Sequence, residues 1–226
     1  MFFLDSTIIL ILPVLALAFW AQHKVKGNYL KYDKVPNQAG ISGAEAAQQI
    51  LSRNGINDVE VREVSGQLTD HYHPTQKVVN LSSAVYHNRS ISAVSIAAHE
   101  VGHAMQHAVG YAPMQIRASF VPVANLGSKG AFPLFFIGFL FSMPLLMDLG
   151  IWFFAGALAF HLITLPVEFN ASRRAFAQLD NGILVSSQEM QGSKAVLNAA
   201  ALTYVASTLM ALMQLIRMLV LRGGRD

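Results

Sequence analysis

The sequence contains no cysteine, and only 13% of its 226 residues are charged. The missing thiols exclude disulfides, thiolate nucleophiles and cysteine-bound metals, so any metal must be held by His, Asp or Glu. The charged share is about half the roughly 25% usual for a soluble domain. No internal repeat or low-complexity tract is present. A dense basic stripe is also lacking. The net charge of +3 and the pI near 9.3 come from dispersed residues and do not point to nucleic acid. The tightest basic cluster follows an apolar block, where lipid headgroups are the natural partner.

What is abundant is apolar. Hydrophobic residues make up 53% of the chain and gather in four blocks, at 6–22, 130–147, 149–167 and 195–216. Each approaches the about 20 residues needed to cross hydrocarbon. The first lacks a basic leader and a small-x-small cleavage site, and Lys24, Lys26, Lys31 and Lys34 follow it. It reads as a retained anchor that starts outside and ends in the cytoplasm. Only Asp148 separates the second and third blocks, which predicts a tight hairpin with Asp148 at its tip.

The segment 23–129 carries ten Lys or Arg and is expected on the cytoplasmic face of a multi-pass protein. Four crossings would then leave Arg217, Arg222 and Arg225 outside, against the positive-inside tendency.

The polar region between the first two blocks reads as a small α+β unit. Ser42 and Glu45 form a capping-box signature that opens a helix to about Arg53, ended by Asn54-Gly55. Val59, Val61 and Val64 mark one β-prone run, and Val78, Val79 and Leu81 another, with a turn around His73-Pro74. Ser90 is the expected N-cap of a helix running to His107.

That helix carries His99-Glu100-Val101-Gly102-His103, an H-E-x-x-H pattern. Residues four apart share a helix face, so two imidazoles can reach one zinc. Glu100 then stands beside the metal, where a general base for an attacking water belongs. A catalytic zinc needs a third protein ligand and an open position. His107 continues the four-residue spacing but lies a further turn away, which suits a pocket-lining or supporting role. Ten residues after His99 stands Val109, so a third histidine at that spacing is absent. Glu168 is the better candidate. It directly follows the uncharged block 149–167, where a lone carboxylate is costly unless it meets a protein interior or a metal. The alternative is an interfacial glutamate paired with Arg173 or Arg174.

H-E-x-x-H followed by Glu168-Phe169-Asn170-Ala171-Ser172-Arg173-Arg174-Ala175 resembles the E-[FY]-x-A-D-R-x-A segment of the HtpX and CAAX-protease class of membrane zinc metallopeptidases. In that class the glutamate is the third zinc ligand, and the aspartate four residues later supports a ligand histidine. Ser172 stands at the aspartate position here, so the resemblance leaves open whether Ser172, Asn170 or another residue gives that support. Three stretches, 70-DHYHPTQKVVNLS-82, AAHEVGHAMQH and LPVEFNASRRA, are similar in order to the YugP-type family of neutral zinc metallopeptidases of bacterial membranes.

The resemblance implies one catalytic zinc ion held by His99, His103 and Glu168, with Glu100 as base. Polypeptides near the cytoplasmic face of the bacterial inner membrane are the expected substrates, and the bilayer the other partner. In such enzymes an edge strand often pairs with substrate, and residues 77–81 are the candidate strand. His71 or His73 could support an oxyanion, or serve only as hairpin residues. Arg173 is a further candidate for support.

The expected architecture is a mainly α membrane protein. About four transmembrane helices accompany a small α+β zincin-like domain that carries the HExxH helix. The expected division is an anchor at 1–22, the catalytic domain at 23–129, a helical hairpin at 130–167, a third-ligand segment at 168–194 and a C-terminal helix at 195–226. The competing reading is a non-catalytic zinc scaffold or a docking subunit of a larger membrane complex.

Overall fold

The structure, a computed structural model, describes residues 6–180 and 184–224. A 3-10 turn at Ser6–Leu10 leads into α1 (Leu12–Asp33). Then come α2 (Gly43–Arg53), β1 (Glu60–Val64), β2 (His71–His73), β3 (Val78–Ser82), α3 (Ser83–His87) and α4 (Ile91–Ala108). Three long helices finish the chain: α5 (Ala112–Leu140), α6 (Pro144–Leu179) and α7 (Met190–Gly223). The fold is therefore mainly helical with one small sheet, as expected.

The described residues cluster into two units. One takes in α1 up to Gln22, Gln115–Pro166, and α7 from Thr203. The other takes in His23–Met114 and Val167–Leu202.

In the second unit the local signals behave as read. Ser42 accepts from the Glu45 N–H at 3.2 Å and Glu45 accepts from the Ser42 N–H at 2.7 Å, a complete capping box. Gly55, at φ 68, takes the left-handed position that ends α2. Ser90 caps α4 by accepting from Ala93 N–H at 3.1 Å. The sheet order is β1-β3-β2, with β1 parallel and β2 antiparallel to β3. All five residues of β3 are buried because it is central. The strand expected to offer an edge to substrate is thus paired on both sides, through Val61↔Val79 and Tyr72↔Val79. The edges are β1 and β2, the latter a three-residue strand next to the turn expected around His73-Pro74.

The sheet, α2 and α4 close on one apolar core containing Ile50, Val79, Leu81, Val85, Val94 and Val101. The C-terminal part of α6 joins that core through Val167, Ala175 and Leu179. Its buried positions Glu168, Ala171, Ser172, Ala175 and Leu179 recur at three- and four-residue steps, one helical face. At the crossing with α4, a Cβ on Gly102 would stand 2.6 Å from the Ala171 carbonyl oxygen. The glycine inside H-E-x-x-H is there because α6 backbone occupies its side-chain space.

The first unit is built from apolar helices. Three helices among the described residues are long and apolar enough to cross a membrane: α5, α6 and α7. Among the described residues the N-terminal block, expected as a fourth span, is not one of them. The N-terminal block is split between the 3-10 turn and α1, and Gln22, His23, Lys24 and Lys26 enter that helix about three to four turns from its start. The α5 helix starts at Ala112 rather than near 130 and runs through Pro122 and Pro133. The hairpin tip also moves. The break falls at 141–143, where Ser142 has φ 52, and Pro144 starts α6. Asp148 lies inside α6, and its carboxylate accepts from Arg222 Nε at 2.8 Å. Gly150 permits the α5–α6 approach, since a Cβ there would meet Phe135 N at 2.7 Å. Phe135, Met147, Phe154 and Met218 fill the interior, while Phe141, Leu145 and Trp152 are among the most exposed apolar residues. Large side chains in that arrangement suit a hydrocarbon solvent.

Gly102→Ala is expected to force α4 and α6 apart. Thermal unfolding in detergent should show a destabilisation of roughly 1–3 kcal/mol, the cost typical of overpacking, and zinc affinity should fall with it.

Candidate metal centre

His99 and His103 lie one turn apart on α4, both nearly buried, with ring centroids 4.9 Å apart. Glu168 on α6 enters between them. Its Oε2 lies 3.3 Å from His99 Nε2 and 3.4 Å from His103 Nε2. One donor atom from each of the three falls within 4.8 Å of the others. Ligands about 2.0–2.1 Å from a tetrahedral zinc lie about 3.3 Å apart, so the two imidazole–carboxylate separations match such an ion. Two imidazoles and one carboxylate leave a fourth position open. The donor set therefore fits zinc.

The remaining ring nitrogens are also engaged. His99 Nδ1 lies 3.2 Å from Ser172 Oγ, and His103 Nδ1 lies 3.0 Å from Gln106 Oε1. With its proton on Nδ1, each ring donates outward and turns its Nε2 lone pair toward Glu168. Ser172, which stands where the sequence resemblance leads one to expect aspartate, reaches His99 through its hydroxyl.

Glu100 projects toward the sheet. Its Oε2 accepts the backbone N–H of Tyr72, the middle residue of β2, at 3.0 Å. Burial pushes the Glu100 carboxyl up to about 7; the neighbouring His99 opposes this and Glu168 reinforces it. A carboxylate near neutrality can both take and return a proton.

The other candidates fall elsewhere. His107 is not in the cluster; its Nδ1 is 2.7 Å from the Tyr72 hydroxyl. Burial pushes that phenol up to about 12. His71 is held by the Thr69 carbonyl at 2.8 Å and the Asn80 amide at 3.1 Å. His73 accepts the Gln76 N–H at 3.2 Å. Strand alternation explains both, since Tyr72 faces α4 and its neighbours face away. Arg173 is exposed. Arg174, one residue on, points along the helix to Asn170, donating from Nε to Oδ1 at 2.8 Å.

Gln106 was overlooked in the sequence. It stands three residues after His103 and seven after His99, on the ligand face of α4, and it is fully buried. A long amide at that spacing beside H-E-x-x-H was the available signal.

The donor set is one that can hold zinc, and the chain belongs to the family described as "Putative neutral zinc metallopeptidase", whose model matches residues 7–223. It is 49% identical over 221 residues to a protein of Bacillus subtilis (strain 168) named "Putative membrane protease YugP", covering 97% of this chain and 98% of that one. No solved structure matches the chain.

Ser172→Ala removes the partner of His99 Nδ1. Zinc affinity measured by chelator competition should weaken by roughly 10–100-fold, the usual effect of losing an outer-shell contact. His107→Ala should leave it unchanged.

Proposed function

We propose that this chain is a membrane-embedded zinc endopeptidase that hydrolyses peptide bonds of membrane proteins or membrane-associated peptides. The observation that carries the reading is the convergence of Glu168 on nitrogens of His99, 69 residues away in sequence, and of His103, beside a second acidic side chain, Glu100, that is no part of the cluster. A purely structural zinc site has no use for Glu100 and normally closes with four protein ligands.

His99, His103 and Glu168 would hold one zinc ion. When bound, zinc supplies the Lewis acidity that polarises a carbonyl and brings a water's pKa to near 7. Glu100 takes the proton from the attacking water and returns it to the leaving amine. The Tyr72 N–H keeps the Glu100 carboxylate aimed while it does so. Three apolar helices support a membrane setting. The ten Lys or Arg of 23–129 favour a cytoplasmic face of the bacterial inner membrane for the site.

The test is a pair of substitutions in the full-length protein, assayed for bound zinc and for cleavage of a peptide library by mass spectrometry. Glu100→Gln should keep one zinc per chain and lose cleavage by roughly 10²-fold or more, the scale of general acid–base catalysis. Glu168→Ala should lose most of the zinc. Wild-type cleavage by Glu100→Gln would sink the mechanism, and full zinc in Glu168→Ala would sink the ligand assignment.

A further inference from the structure

We propose that Gln106 is a positioning residue through which α6 sets the tautomer of His103, so that the third-ligand helix prepares a ligand on the other helix as well as contributing its own.

The argument runs through atoms that can act in one sense only. The Val167 carbonyl can only accept a hydrogen bond. It lies 2.7 Å from Gln106 Nε2. The Arg174 guanidinium can only donate. Its Nε, 2.8 Å from Asn170 Oδ1, fixes that atom as the amide oxygen. This oxygen lies 3.0 Å from Gln106 Nε2. Two acceptors on α6 therefore demand the NH₂ end of Gln106. The other end must be its oxygen, and that oxygen faces His103 Nδ1 at 3.0 Å. An amide oxygen only accepts, so Nδ1 must carry the proton. Neutral His103 is then left with its lone pair on Nε2, the atom that faces Glu168 at 3.4 Å. Val167, Asn170 and Arg174 all belong to the helix that carries Glu168, so one packing event places the third ligand and orients the second. Gln106 has no exposed surface, so no water competes for these contacts.

The role depends on the acceptor and donor ends of one amide, and this makes it separable from packing. Gln106→Met keeps the shape and loses every hydrogen bond. Gln106→Glu keeps an acceptor for His103 but turns its second oxygen toward the Val167 and Asn170 oxygens. Asn170→Asp keeps the acceptor that both Gln106 and Arg174 use.

The experiment uses full-length protein in detergent micelles, with ¹⁵N-labelled histidine in the zinc-free form and chelator competition for zinc affinity. Wild-type His103 should show the Nδ1–H tautomer. Gln106→Met and Gln106→Glu should each weaken zinc binding by roughly 10–100-fold, and Gln106→Met should shift His103 toward Nε2–H. Asn170→Asp should keep the Nδ1–H tautomer, and its loss there would count against the proposal. If Gln106→Met keeps the Nδ1–H tautomer and wild-type affinity, the role assigned to Gln106 is wrong. Should the Gln106 variants fail to fold, Asn170→Leu carries the test: it should weaken zinc binding and loosen the tautomer preference, and no change in either would overturn the proposal. The proposal rests on reading His99, His103 and Glu168 as zinc ligands. A wild-type protein that binds no zinc would refute that reading, whereas unchanged variants of a zinc-binding wild type refute only Gln106. Neither readout depends on peptide cleavage.

Discussion

A carboxylate that is almost removed from water must be met by hydrogen bonds, by positive charge or by a metal. Glu168 is such a group, and much of the second unit is organised around meeting it. The α6 helix reaches α4 only because Gly102 leaves room for the Ala171 backbone. That approach puts Glu168 on the two Nε2 atoms, Ser172 on His99 and the Val167 carbonyl on Gln106. Small residues and one buried amide thus hold the crossing together.

On the opposite side, the sheet serves α4 through its shortest strand. Tyr72 is tied to α4 twice, by its N–H to Glu100 and by its hydroxyl to His107. Those positions are seven apart, two turns on one helical face. Asp70 steadies the same hairpin by accepting from Ser82 N–H at 2.7 Å. The pairing gives the catalytic candidate Glu100 a fixed backbone donor, and it explains why a three-residue strand persists at the edge.

The membrane-like unit follows different rules. Its helices meet through glycine and expose large apolar side chains. Its polar contacts include Asp148 with Arg222, and Arg217 donating to Thr7 at 3.1 Å. Arg222 therefore has an acidic partner inside its own unit. The uneven distribution of positive charge along the sequence did not reveal this, because charge counts carry no information about pairing.

The local elements were legible in the sequence because their causes are local. A capping box, a left-handed glycine and an N-cap serine each act within about four residues, so α2 and α4 came out close to their true limits. The H-E-x-x-H pair is legible for the same reason, since one turn of helix brings its two histidines together. Among features that depend on distant partners, Glu168 was legible through the cost of a lone carboxylate after an uncharged block, but others were not. Residues 77–81 looked like an edge strand until β1 and β2 were seen on either side of β3. Asp148 looked like a hairpin tip until the turn fell at 141–143. His107 keeps the spacing of His99 and His103 but falls a turn beyond them, and only the fold gives it a partner, the Tyr72 hydroxyl. Sequence alone determined which residue types could hold the metal, and which turn of helix would present two of them. Only the tertiary structure decided how the set is completed and supported, because the carboxylate, the serine hydroxyl and the Gln106 amide meet across a helix crossing, and no periodicity within one helix encodes contacts to another.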